Sequence, residues 1–186
     1  MLFRSEGFTA LTEHIGPERM VSLLDHYVDT VANLIVGHGG MVDKIVGDGL
    51  IAFFNAPVDL PDHAQRAVAC ALEIVAATEA LRREPQWAEI GLGRTRVGIE
   101  TGPAVLGDVG RGIRRNYTAL GRAVNVAARL EAANKSFGSS IALGPGTAAA
   151  LEGKYKLRHL GRIELRGIAE AVDVFEPDSE PPIDRG

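Results

Sequence analysis

The chain has 186 residues, 46% hydrophobic, 24% charged and 5% aromatic, enough for one domain with a sizeable core and incompatible with disorder or a collagen-like repeat. Its 20 Lys and Arg against 24 Asp and Glu leave a net charge of -4, which supplies no global field for nucleic acid, so any nucleotide site must be local. The single cysteine, Cys70, excludes an internal disulfide or zinc cluster, and no apolar run approaches the roughly 18 residues of a membrane span.

In chain order, Gly16-Pro17 starts a predicted amphipathic helix over Glu18 to His38, with Leu23, Tyr27, Val31 and Ile35 on one face. Met41 to Val46 and Leu50 to Asn55 are short apolar runs joined by Gly47-Asp48-Gly49, a strong hairpin signal that puts Asp48 at the tip. Asp62 is the expected N-cap of a second long helix reaching Arg83, with Cys70 as a buried thiol within it. A loop containing Pro85 is expected next, followed by a strand over Thr95 to Glu100. The Gly/Arg-rich segment 107–115 reads as a hairpin or arm, because it lacks the ending of a phosphate-binding loop. A third helix follows from Arg122 to Asn134, then short strands over Ser140 to Leu143, Tyr155 to Leu160, Ile163 to Leu165 and Val172 to Glu176. This order predicts an α+β fold with helices packed on an antiparallel sheet.

Few residues stand out as carriers of chemistry on spacing alone. Lys44 lies four residues before Asp48 at the turn, and on spacing alone the two read more readily as a solvated pair than as parts of one pocket. Asn125 and Arg129, four apart on a helix, share a face that could present donors to a phosphate or form a surface cap. The five histidines show no metal-ligand spacing.

Taken together, Gly7-Phe8-Thr9, Lys44-Ile45-Val46-Gly47-Asp48-Gly49, Asp62-His63-Ala64, Val97-Gly98-Ile99 with Thr101-Gly102, Tyr117-Thr118-Ala119-Leu120-Gly121, the run Val124 to Glu131 and Leu165-Arg166-Gly167 resemble the class III adenylate/guanylate cyclase catalytic domain, in that family's order. The resemblance implies a ferredoxin-like βαββαβ core with additional strands and helices. It also implies a head-to-tail homodimer with ATP sites in the interface, and adenylate cyclase activity supported by two Mg2+ (or Mn2+) ions. By the same resemblance Lys44 and Thr118 read the base, Asn125 orients the ribose, Arg129 stabilises the phosphates, Arg166 and Arg114 reach the triphosphate, and Asp48 is one of two metal-binding aspartates. Lys44 favours adenine, since an ammonium donates to adenine N1 whereas a guanylate cyclase is expected to carry glutamate there.

The pattern departs from the family at Arg4, which stands where the partner aspartate belongs; a guanidinium repels a divalent ion. Residues 1–5 are accordingly read as a non-native or truncated start, with the cyclase domain over 6–176 and a tail or linker over 177–186. The competing readings are a catalytically inert cyclase-like dimerisation module, then a guanylate cyclase, then a nucleic-acid binder, the last disfavoured by charge. The expected setting is cytoplasmic, in bacterial cyclic AMP signalling, within a longer protein carrying an upstream sensory or regulatory domain.

Overall fold

A computed structural model describes residues 1–5, 15–109, 116–164 and 171–178. Seven strands form one sheet in the order β2-β3-β1-β4-β7-β9-β8. These are β1 (Leu2–Ser5), β2 (Met41–Val46), β3 (Gly49–Phe53), β4 (Thr95–Ile99), β7 (Ile141–Leu143), β8 (Leu157–Ile163) and β9 (Val172–Pro177). Every neighbouring pair is antiparallel except β4 with β7, which run parallel. Two further strands, β5 (Val105–Val109) and β6 (Asn116–Leu120), pair as a separate ribbon, in agreement with the arm expected there.

The opening residues form β1, which lies between β3 and β4 in the sheet's interior. Its side chains alternate, with Phe3 and Ser5 buried toward one face and Leu2 and Arg4 more open toward the other.

Helices α1 (Pro17–Gly37) and α2 (His63–Arg83) cover the Phe3 face. In α1, Leu23, Tyr27, Val31 and Ile35 recur every fourth residue and are all buried. Asp62 occupies the N-cap position of α2, but its carboxylate accepts from Arg66 Nε at 2.8 Å instead of capping the backbone. Cys70 is buried on α2, and burial pushes its thiol up to about 12.

Helix α4 (Arg122–Phe137) covers the opposite face through Val126 and Leu130. Its approach to β4 depends on Gly98: a Cβ there would lie 2.1 Å from the Ala127 carbonyl oxygen, so only glycine admits the helix this close. That contact sets the position of Asn125 and Arg129 relative to the sheet.

Two short helices were not anticipated. Helix α3 (Pro85–Ile90) replaces the expected loop: Pro85 starts it, Gly91 ends it in the left-handed conformation at φ 74°, and buried Trp87 anchors it. Helix α5 (Pro145–Ala150) follows β7. The two strands expected between Tyr155 and Leu165 are one strand, β8, with an irregularity between His159 and Gly161. Among the described residues no helix is long and apolar enough to cross a membrane.

Candidate active site

The β2–β3 hairpin and the β5–β6 ribbon bring three side chains together. Lys44 Nζ donates to Thr118 Oγ1 at 3.0 Å, Thr118 Oγ1 donates to Asp43 Oδ2 at 3.0 Å, and Lys44 Nζ lies 3.1 Å from that same Asp43 oxygen. Two of the sequence-predicted residues, Lys44 and Thr118, thus meet directly although 74 positions separate them.

Asp43 was missed by sequence reasoning. Neighbouring residues of a regular strand point to opposite faces, so Asp43 should turn away from Lys44. The β2–β3 register instead shifts between Val42 and Lys44, and Val42 pairs with Ala52 while Lys44 pairs with Ile51. Asp43 is the extra residue of this bulge, and both side chains reach one hydroxyl. A lone carboxylate inside an apolar strand was the available signal. The Asp43 side chain is 2% exposed and that of Lys44 38%, so the carboxylate supports the group from beneath while the ammonium faces outward.

Asp48 lies in the turn between β2 and β3, apart from that triangle. Its Oδ1 is 3.6 Å from Arg4 Nε. Burial pushes the Asp48 carboxyl up, opposed by the backbone N–H of Ser5 and by the charges of Arg4 and Arg96. Arg4 and Arg96 are direct cross-strand partners on β1 and β4. Arg96 Nε in turn donates to Glu131 Oε1 at 3.1 Å, both side chains largely buried, which ties α4 to the sheet. Burial is also the main cause that raises the Glu131 carboxyl, with Arg96 opposing it.

Asn125 is exposed and Arg129 half-buried, one turn apart on α4. Arg114 and Arg166 lie outside the described residues, as does Gly7-Phe8-Thr9. A cavity of about 290 Å³ is a separate feature. Leu2, Phe53, Glu100, Leu106 and Val124 are among its lining residues, and none of the predicted site residues is.

Among the described residues, those at Asp48 do not fit a pair of divalent ions. Magnesium requires near-octahedral oxygen coordination at about 2.0–2.1 Å. Asp48 offers one carboxylate, already beside a guanidinium, and no cluster of three or more His, Cys, Asp or Glu that could hold a metal occurs among the described residues.

The mostly antiparallel seven-stranded sheet with helices on both faces and a separate two-stranded ribbon is the α+β architecture of cyclase catalytic domains. The chain belongs to the adenylate and guanylate cyclase catalytic domain family, whose model matches residues 1–175. It is 37% identical over 169 residues to adenylate cyclase 1 of Rhizobium meliloti (strain 1021), covering 91% of this chain and 25% of that protein. To adenylate cyclase of Anabaena cylindrica it is 30% identical, covering 91% and 34%. The chain therefore spans about a quarter to a third of these relatives. Among solved structures, the adenylyl cyclase CyaB from P. aeruginosa superposes with a TM-score of 0.87 at 29% identity, covering 100% of this chain and 94% of that one. The guanylyl cyclase Cya2 superposes with a TM-score of 0.81 at 30% identity, covering 95% and 88%. The fold is thus shared by cyclases named for either purine, and the choice of base must rest on side chains.

Proposed function

We propose that this chain is an adenylate cyclase catalytic domain, converting ATP to 3′,5′-cyclic AMP and pyrophosphate at sites shared across a homodimer. The observation that carries this reading is the Lys44–Thr118 contact. An ammonium beside a hydroxyl can donate to adenine N1 and accept from the N6 amino group. Guanine presents the reverse, a donor at N1 and an acceptor at O6.

In the reaction the ribose 3′-oxygen attacks the α-phosphorus. The new O–P bond forms as the bond from that phosphorus to the bridging oxygen breaks, and the hydroxyl proton leaves with the pyrophosphate. Asn125 is assigned to holding the ribose and Arg129 to the negative charge that builds on the phosphate oxygens, a role in which a preorganised guanidinium contributes most in the transition state. Arg114 and Arg166 are assigned to the triphosphate tail. In a head-to-tail dimer the Asp48 pole of one subunit would meet the Lys44, Thr118, Asn125 and Arg129 of the other. The chain covers only about a quarter to a third of these relatives, which supports a place in a longer protein; an upstream sensory or regulatory domain and a cytoplasmic setting are assigned together with the cyclase reading.

The Arg4–Asp48 contact favours a second reading, an inert nucleotide-binding module that dimerises without turnover. Cyclic AMP formation from ATP with Mg2+ or Mn2+, compared between the chain and Arg4→Asp, separates the two. Turnover that is weak in the chain and rises by about a hundredfold or more in Arg4→Asp supports the cyclase. ATP binding without turnover in either protein, with dimers present in solution, supports the inert module.

A further inference from the structure

We propose that Asp43 is the positioning residue that makes the site selective for adenine, by committing the proton of the Thr118 hydroxyl. The inference rests on the adenine-reading role of Lys44 and Thr118 proposed above and adds a residue that acts through them.

The argument is a count of donors and acceptors. A threonine hydroxyl has one proton and two lone pairs, so alone it can donate to guanine O6 as readily as it accepts from adenine N6. Here the proton is used on Asp43 Oδ2 at 3.0 Å, and one lone pair is used by Lys44 Nζ at 3.0 Å. One lone pair remains for a ligand. The ammonium has three protons, of which one goes to Thr118 and one faces Asp43 at 3.1 Å, leaving one for a ligand. The triangle therefore offers outward one donor and one acceptor side by side, the complement of the N1 and N6 edge of adenine.

Asp43 is suited to this because ionised carboxylate oxygens only accept, so the hydroxyl cannot turn its lone pair toward Asp43. The carboxylate is buried and lies on the bulged strand, which fixes its distance to Thr118. Neutralising Lys44 would require only the 3.1 Å contact; the additional bond to Thr118 orients the rotor.

Competition binding of ATP and inosine triphosphate against a fluorescent ATP analogue tests this, because hypoxanthine differs from adenine only at the edge being read. Asp43→Ala should lower the ATP preference by about tenfold, the discrimination expected of one hydrogen bond. Asp43→Asn, whose amide oxygen can still accept from Thr118, should stay within about threefold of the parent protein. In a Thr118→Val background, Asp43→Ala should leave the preference unchanged, since no rotor remains to orient. If alanine does not fold, Asp43→Ser, too short to reach Thr118, should give the same drop. An equal loss of affinity for both nucleotides in Asp43→Ala, or the same shift with and without Thr118, overturns the proposal. A parent protein that does not prefer ATP overturns instead the adenine-reading role beneath it.

Discussion

Arg4 on β1 lies directly opposite Arg96 on β4, and each guanidinium has a carboxylate beside it: Asp48 for Arg4, Glu131 for Arg96. Like charges opposed across two strands are unfavourable, and the two carboxylates offset them. Replacing Arg4 by aspartate leaves Asp48 facing a second carboxylate. In Arg4→Asp the two acids should repel without a divalent ion and bind one when it is present. The melting temperature of Arg4→Asp should therefore rise with added Mn2+, whereas that of the parent chain should not respond; ligand-linked stabilisation of about 2.7 kcal/mol corresponds to an ion at a hundred times its Kd. An equal rise in both proteins would show that Arg4 is no obstacle to the ion.

The Lys44–Thr118 contact makes base preference reversible. Lys44→Glu with Thr118→Cys replaces the outward donor by an acceptor that can take the guanine N1 proton, and removes the oxygen that accepts from adenine N6. The ATP-to-GTP ratio of kcat/KM should fall by about a hundredfold, the product of two such contacts. An unchanged ratio would remove both residues from base recognition.

How much of this was legible in the sequence follows from which signals are local. The β2–β3 hairpin, both long helices and the residues Lys44, Asp48, Asn125 and Arg129 stand within continuous patterns of apolar residues or glycines, and the elements appear where those patterns place them. Asp43 was hidden because alternation along a strand is the only clue to facing, and a bulge breaks alternation without a marker residue. Helices α3 and α5 are six residues each, too short for a helical period to show. The Arg4–Arg96 register and the Arg96–Glu131 bond join distant segments, and no local pattern announces such pairs.

Arg129 is half-buried on α4 one turn from exposed Asn125, and its helix is held to β4 by the close approach at Gly98. Truncating the Arg129 side chain leaves that packing intact. Arg129→Ala should lower kcat by about a hundredfold or more while circular dichroism and melting temperature stay near the parent values, as expected for a group whose contact strengthens in the transition state. The comparison belongs in an Arg4→Asp background, where turnover is high enough to resolve the loss.

A shared site predicts complementation. In chains carrying Arg4→Asp, Asp48→Ala damages one pole of the site and Asn125→Ala the other. Each homodimer should be inactive, but a mixed dimer assembles one site from the undamaged pole of each chain. Random mixing at equal amounts puts half the dimers in mixed form, each with one intact site of two, so activity should return to about a quarter of the unmutated level. Purified variants that never complement, although they exchange subunits, would place both poles in one chain.

Glu100, at the end of β4, supplies a test by pH. Its Oε1 accepts from the Gly146 N–H at 3.4 Å, at the start of α5, while Oε2 is buried without a partner among the described residues. Burial raises the Glu100 carboxyl above its ordinary 4.5, only partly opposed by the N–H groups of Gly146, Thr147 and Thr101. The folded chain therefore holds this proton more tightly than the unfolded chain does. Glu100 favours the fold most below its unfolded value, and that contribution is lost as pH rises through the raised folded value. Asp48 and Glu131 are raised in the same direction, so the slope of the parent chain is not Glu100's alone. Glu100→Gln removes one titration and leaves the other two. The melting temperature of the parent minus that of Glu100→Gln should fall between pH 4 and 7, and a difference that stays flat would mean that Glu100 is solvated in solution.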